Sequence, residues 1–441
     1  MKRFNLYAGE IVDLSPFKDC IDRIESNLKN NRANFYETTH GFSFKDQITS
    51  CEIGAAVCMV SHRNQLRKDK VRDFAIHPMY SAAFLSSYSV SVLSVVAAMG
   101  HDIIEEGVSQ IGLKVGDEDY ELKHAAVCIG AFMQYYFGIK KQMPNNPLAF
   151  KYFNSVLRII DSMTKKGEDT YFCSLQNICF IDTFSMKDRW TFRSAVKNRE
   201  KIIKYLTHYF NFDSILSDPN CFPSSLEDLC KHFFKEFYNI TQKAEVVLKN
   251  QRRSMMVKLA DISYNIQDMP PEFPFKSRMS LYTKSMFIMN EILNYYNDHV
   301  NVVNSKLIFN IVKDVALQTK ESLHKEIVAV EERIGVDKTR EHYAELNSYK
   351  ESEHFNNLEN NSIDNTPFAQ VFSDQLFSLV VGEKFSLTDD VRIHRTLIVY
   401  NSVIDKHFLN KHFVSNATLN NLKTVYESGV HKSKNCAFNS K

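Results

Sequence analysis

Two histidines and two aspartates are the side chains of this sequence best suited to bind a metal ion together. His77 stands in an Ile-His-Pro step, and His101 and Asp102 are adjacent in the run HDIIEEG. Asp261 comes much later, in the segment KLADISYNIQDM. A mixed set of imidazole and carboxylate ligands suits Mn, Fe, Zn or Mg, and it leaves coordination positions open for water and phosphate oxygens. The four residues therefore predict a site for one divalent cation.

Two glutamates directly after the His-Asp pair supply groups for proton transfer. Glu105 lies four residues after His101, so it projects from the same face if one helix continues through both residues. Glu106 is its neighbour in the same run. A carboxylate at Glu105 can take a proton from water or give one to a leaving group. Glu105 is therefore a predicted catalytic residue, and the family resemblance described next adds Glu106.

The segments that hold these residues resemble the HD superfamily of metal-dependent phosphohydrolases, and within it the hydrolase domain of the RelA/SpoT (p)ppGpp enzymes. The segment SHRNQLRK matches the family pattern HxGQxRK, with Asn64 at the position of the glycine. The run GHDIIEEG resembles HDxxED, with Glu106 where aspartate is usual. VKLADISYNI is similar to VKLADRLHNM. His77 precedes a proline as in the family, and its separation of 24 positions from His101 equals the family's.

The resemblance implies a role for each candidate residue. The metal, Mn²⁺ or another divalent ion, would be held by the two histidines and two aspartates. Arg67 would stack on the nucleotide base and Lys68 would lie near phosphate, which are natural uses of a guanidinium and an ammonium group. Asn265 would hydrogen-bond a ribose or phosphate. The implied reaction removes pyrophosphate from the ribose 3′ position of ppGpp or pppGpp.

Other interpretations stay open at this stage. The charges of both signs in KDKVRD are also typical of a solvated loop, which would leave Arg67 and Lys68 without a role in binding. The same metal site occurs with many phosphate esters, so a dNTP or related nucleotide is an alternative substrate. A third alternative is a nucleotide sensor or interaction protein that binds without turnover.

Composition favours an all-α fold. The 441 residues include only 13 Gly and 10 Pro, which is few for a turn-rich β protein. We expect an HD-domain helical bundle over residues 51–300, with an N-terminal appendage at 1–50 and a helical C-terminal extension at 301–441. Asp102 and Asp261 are 159 positions apart, much farther than in ordinary RelA/SpoT hydrolases, which predicts a large helical insertion at about 147–223.

The insertion contains a cluster of basic residues, and two interpretations of it are open. It could attract a polyanionic substrate to the mouth of the site, or it could be a solvated helical face, which is the interpretation we favour. The cluster consists of Arg189, Arg193, Lys197, Arg199, Lys201 and Lys204.

Charge and cysteine content indicate the expected partners and compartment. A net charge of +2 gives no reason to expect a nucleic-acid partner. Nine cysteines without zinc-site spacing are typical of reduced thiols in the cytoplasm. Residues 82–100 carry no charge over 19 positions, near the length of a membrane span, but five of them are serine. We therefore expect a buried helix that presents metal ligands, and no membrane association. The sequence leaves homo-oligomer formation open.

Overall fold

The computed structural model describes residues 3–7, 10–31, 41–67, 69–110, 120–163 and 244–269, together with scattered positions between 273 and 332. Packing divides the chain into two compact units, Met1–Asp261 and Ile262–Lys441. The expected domain boundaries near residues 50 and 300 stay a prediction.

Helices dominate the described residues, which confirms the mostly helical class. The assignment to the HD-domain bundle stays a prediction. The helices are α1 (Lys18–Lys29), α2 (Phe44–Ser61), α3 (Ile76–Ser86), α4 (Val92–Gly100), α5 (Ile103–Gln110), α6 (Tyr120–Gln142), α7 (Pro147–Met163) and α8 (Ala244–Gln267).

The expectation of an entirely helical fold is wrong for the N-terminal residues. Strands β1 (Arg3–Tyr7) and β2 (Glu10–Asp13) pair antiparallel. Phe4 and Leu6 are buried and alternate with exposed neighbours, the period of two that a strand requires. Strands this short give too few alternating positions for the pattern to be distinguished from a polar appendage.

Helix α4 lies at the centre of unit 1. Its nine residues, VLSVVAAMG, are all buried, and it packs against α2, α3 and α7. The Ser91 side chain begins the helix by accepting a hydrogen bond of 3.2 Å from the Leu93 backbone N–H. An uncharged sequence of this kind is suited to burial on every side. The residues that follow α4 are therefore carried by the best-packed helix of the unit.

The single helix expected over residues 82–100 is two helices, α3 and α4. The Ser86 and Ser87 hydroxyls donate to the carbonyls of Ala83 and Phe84, each at 2.7 Å. Such bonds offer the backbone an alternative to helix continuation, and they lie where α3 ends. None of the helices in the described part of the chain has the length and apolar character that a membrane span requires.

Helix α7 is the first part of the expected insertion, and it packs against α4 and α6. It therefore belongs to the core of unit 1. Residues 164–223, including Arg189 and the other basic positions of the cluster, lie outside the described residues. In unit 2, Ile308, Ile311 and Val315 are buried, at the spacing of three and four positions that one face of a helix gives.

Candidate metal centre

The four predicted metal ligands come from three separate segments and meet in unit 1. His77 is the second residue of α3, His101 and Asp102 form the turn between α4 and α5, and Asp261 lies in α8. The Nε2 atoms of the two histidines are 3.1 Å apart. Segments that are far apart in the sequence are therefore in contact in the fold, as the motifs predict.

Both aspartates place an oxygen beside both imidazole nitrogens. Asp102 Oδ2 lies 3.3 Å from His77 Nε2 and 3.2 Å from His101 Nε2. Asp261 Oδ1 lies 3.0 Å and 3.6 Å from the same two atoms. The histidine side chains are 2% exposed, whereas those of Asp102 and Asp261 are 18% and 10% exposed. Solvent therefore reaches the cluster from the side of the carboxylates.

Backbone contacts fix the orientation of His101. Its Nδ1 lies 2.7 Å from the Ala98 carbonyl oxygen, so Nδ1 carries the proton and donates it. This bond satisfies one of the open carbonyls in the last turn of α4. It also leaves Nε2 directed at the other three residues, the arrangement that metal-binding histidines commonly show.

The same contact explains why one helix does not run through His101 and Glu105. Helix α4 ends at Gly100, and α5 begins at Ile103 after a turn. The argument that put Glu105 on the face of His101 assumed a continuous helix, so that argument is wrong. Glu105 and Glu106 instead occupy the first turn of α5, and the Glu106 backbone N–H donates to the Asp102 carbonyl at 2.8 Å.

Burial and mutual contact shift the protonation of the cluster. Burial alone would raise the pKa values of Asp102 and Asp261. His101 and His77 lower the pKa of Asp102, and Lys258 together with the two histidines lowers the pKa of Asp261 well below its usual value. Burial would lower the pKa of His101, yet the two carboxylates raise it well above its usual value. Burial lowers the pKa of His77. The carboxylates thus favour a second proton on His101, at Nε2, and a divalent cation would take the place of that proton.

Lys258 adds a charge contact on the outer side of Asp261. Its Nζ donates to Asp261 Oδ2 at 2.6 Å, one turn earlier on α8. The other oxygen, Oδ1, stays directed at the histidines. Lys258 and Asp261, three positions apart, therefore lie on one face of α8. Asn265 follows Asp261 by four positions on α8.

The donor set fits a divalent cation. Atoms of His77, His101 and Asp102 lie within 4.8 Å of one another, and Asp261 Oδ1 is within 3.6 Å of both histidines. Two imidazole nitrogens and two carboxylates, already oriented by Ala98 and Lys258, are ligands that Mn²⁺, Fe²⁺ and Zn²⁺ all accept. The donor types therefore support a metal centre, and they do not choose the metal.

A chain of side chains links the end of α2 to Glu106. His62 Nδ1 lies 2.7 Å from Gln65 Oε1, and Gln65 Nε2 donates to Glu106 Oε2 at 3.1 Å. His62 and Gln65 belong to the SHRNQLRK motif, but sequence reasoning gave them no role in the site. Their spacing of three residues is visible in the sequence, whereas the contact with Glu106, 41 positions away, is not.

Arg67 lies on the loop that precedes α3. Its guanidinium carbon is 5.7 Å from the centre of the Phe74 ring, and that ring contacts His77 edge-on at 6.1 Å. Arg67 is thus connected to His77, a predicted metal ligand, through one aromatic ring, a link that sequence reasoning missed. The structure tests neither contact of Arg67 with a nucleotide nor the solvated-loop alternative. Lys68 lies outside the described residues.

The loop holds its shape through backbone contacts. Asn64 has a φ of 63°, a left-handed conformation that Asn adopts more readily than other residues besides glycine. This explains how Asn can stand at the glycine position of the HxGQxRK pattern. Farther on, the Arg67 N–H donates to Arg72 O at 2.7 Å and the Phe74 N–H donates to Gln65 O at 2.9 Å.

Comparisons of the chain with protein-family models, curated proteins and solved structures found no match. The likeness to RelA/SpoT hydrolases therefore rests on the motifs.

Proposed function

We propose that this protein is a divalent-metal-dependent phosphohydrolase that removes the 3′-pyrophosphate of ppGpp or pppGpp. The observation that carries the proposal is the meeting of His77, His101 and Asp102, with an Asp261 oxygen 3.0 Å and 3.6 Å from the two histidine Nε2 atoms. The order of the motifs along the chain singles out the same four residues, and the fold draws them together from segments up to 184 positions apart. Buried charged groups in proteins are usually paired with one another or bound to a metal ion.

Mn²⁺, our preferred metal, or another divalent ion held by these residues would supply Lewis acidity toward phosphate oxygens and water. The greater exposure of Asp102 and Asp261 indicates that the phosphate reaches the centre from their side. The histidines lie at the buried end and orient the donor set.

The remaining candidates would bind the nucleotide and move protons. Glu105 and Glu106, in the first turn of α5, would accept a proton from the attacking water and return one to the ribose 3′ oxygen. Arg67 would stack on the base, while Lys68 and Asn265 would contact phosphate or ribose. Water would break the bond between the 3′ oxygen and phosphorus, so ppGpp would give GDP and pyrophosphate.

The proposal is tested by incubating purified protein with ppGpp and Mn²⁺ and separating the products by ion-exchange chromatography. We expect GDP and pyrophosphate from the wild type and none from Asp102→Asn. Asp22→Asn is the matched control, because Asp22 is an exposed partner of Lys18 on α1 and should leave turnover unchanged.

A panel of dNTPs and other phosphorylated nucleotides extends the test. Full activity of Asp102→Asn would contradict the site assignment. If ppGpp stays intact and another nucleotide is hydrolysed by the wild type but not by Asp102→Asn, the protein is still a phosphohydrolase. The assignment of ppGpp as its substrate is then wrong. Nucleotide binding without turnover, with several metals tried, would overturn the enzyme assignment in favour of a sensor.

A further inference from the structure

We propose that Gln65 and His62 are positioning residues that hold the Glu106 carboxylate in the orientation needed for proton transfer. The proposal rests on the proposed function and assigns it two residues outside the metal ligand set and the predicted nucleotide contacts. The three side chains form one chain of hydrogen bonds, with Gln65 between an imidazole and a carboxylate.

The direction of the hydrogen bonds follows from Glu106. An ionised carboxylate only accepts hydrogen bonds, so the Gln65 group that faces it is the NH₂, at 3.1 Å. The Gln65 carbonyl oxygen then faces His62 and requires a donor there, at 2.7 Å. His62 must therefore carry its proton on Nδ1. The charge on Glu106 thus fixes both the amide orientation of Gln65 and the tautomer of His62.

The surroundings of His62 hold this arrangement in place. The ring is 3% exposed and packs against Phe74 with centroids 4.7 Å apart. Burial lowers the pKa of His62 to about 4, so the ring is neutral and carries a single proton near pH 7. Nε2 is buried and has no hydrogen-bond partner among the described residues, so Nδ1 supplies the ring's observed polar contact. A ring with these constraints cannot rotate freely and gives Gln65 a fixed anchor.

The consequence is a tie between two separate elements. His62 and Gln65 follow the end of α2, whereas Glu106 lies in the first turn of α5, beside the His101-Asp102 turn. A glutamate side chain has three rotatable bonds, and each hydrogen bond restricts them. Without Gln65, the carboxylate would sample positions away from the reacting water, and proton transfer depends strongly on such geometry.

Gln65→Leu removes the donor at nearly constant volume. We expect kcat to fall roughly ten- to hundredfold, the loss typical of one hydrogen bond to a charged group. KM and Mn²⁺ affinity should stay at wild-type values, because neither Gln65 nor His62 is among the metal ligands. His62→Phe should lower kcat in the same way, since it keeps the contact with Phe74 but loses Nδ1–H. Gln47→Leu, a buried glutamine at the far end of α2, is the control.

A double-mutant cycle separates positioning from a general structural effect. In a Glu106→Ala background, Gln65→Leu should cause no further loss of kcat, because its effect acts through Glu106. An equal loss in both backgrounds would overturn the proposal. So would a loss that appears only in KM, in Mn²⁺ affinity or in thermal stability.

A second readout needs no turnover. In protein labelled with ¹⁵N-glutamine and ¹⁵N-histidine, NMR should show His62 as the Nδ1–H tautomer and slow exchange of the Gln65 side-chain amide. Glu106→Ala should speed that exchange and leave the Gln47 amide unchanged. If the wild type hydrolyses no nucleotide, the proposed function fails. The NMR measurement then still tests the hydrogen bonds that link His62, Gln65 and Glu106. An Nε2–H tautomer, or a Gln65 amide indifferent to Glu106→Ala, would contradict them.

Discussion

At the scale of single residues, the centre combines groups whose protonation depends on one another. An oxygen of each carboxylate lies within 3.6 Å of both histidine Nε2 atoms, and both carboxylates raise the pKa of His101, which favours a second proton on its ring. The arrangement persists because Ala98 and Lys258 fix the outer atoms of two ligands. A metal ion would supply the positive charge that this proton brings to the two carboxylates. Imidazole and carboxylate groups both bind divalent cations, so the residue types alone indicated a metal site in the sequence.

Asp69 gives a pH-dependent prediction for the loop that carries Arg67. Its carboxylate accepts from the Val71 and Arg72 backbone N–H groups at 2.9 Å and 3.0 Å. These bonds, with the Arg72 side chain, lower the pKa of Asp69 to about 2. Because the pKa of Asp69 is lower in the folded chain than in the unfolded chain, the ionised carboxylate stabilises the fold at pH values above 3.8, the usual pKa. This contribution is lost as the pH falls toward 2.

We therefore expect Asp69→Asn to be less stable than the wild type at pH 7, with the difference shrinking between about pH 4 and pH 2. Urea unfolding of both proteins across this range measures it. Asp22→Asn, which removes an exposed ion pair on α1, provides the comparison. A difference that grows on acidification would contradict the assigned hydrogen bonds.

At the scale of elements, the close packing of α4 places the metal ligands. A Cβ atom at Gly100 would lie 2.5 Å from Tyr135 Oη and 2.6 Å from Ile160 Cδ1. Both contacts are too short for any side chain, and Gly100 directly precedes His101. The glycine lets the end of α4 approach α6 and α7 closely enough to bury the ligand.

Gly100→Ala should therefore lower stability by about 1–3 kcal/mol through overpacking and weaken Mn²⁺ binding by moving His101. Thermal unfolding and metal titration measure the two effects. Gly54→Ala is the comparison and should cost less, since its shortest contacts, with Met99 Sδ at 3.0 Å and Val96 Cγ1 at 3.1 Å, are longer. If Gly100→Ala keeps the stability and the Mn²⁺ affinity of the wild type, the prediction is wrong, and α4 can shift without displacing His101.

The sequence predicted which residues would lie together better than it predicted the elements that carry them. Residue types and motif order singled out His77, His101 and Asp102, which form a group that could hold a metal ion, and Asp261, which lies beside both histidines. The role of the four residues as metal ligands stays a prediction. The break between α3 and α4 depends on serine hydroxyls that bond locally, and the turn at His101 depends on one contact with Ala98. The pattern of hydrophobic residues along the sequence predicts neither the serine hydroxyl bonds nor the bond between His101 and Ala98.

At the scale of the molecule, a bound metal would connect distant parts of the chain. The unfolded chain cannot present ligands from α3, the α4–α5 turn and α8 together, so binding should favour the folded state. We expect Mn²⁺ at 100 times its Kd to add about 2.7 kcal/mol to the free energy of unfolding and to raise Tm. EDTA should reverse the shift, and Asp102→Asn should abolish it. An equal shift in Asp102→Asn would place the binding elsewhere.

The central claim is that these four residues form one metal centre, and metal stoichiometry tests it most directly. Purified protein is dialysed against Mn²⁺, and the bound metal is measured by mass spectrometry for the wild type, Asp261→Asn and Asp22→Asn. We predict one tightly bound ion per chain in the wild type and in Asp22→Asn. Asp261→Asn should lose more than the roughly 10–100-fold in affinity that loss of an outer partner causes. Undiminished binding in Asp261→Asn, or no binding by the wild type, would contradict the account.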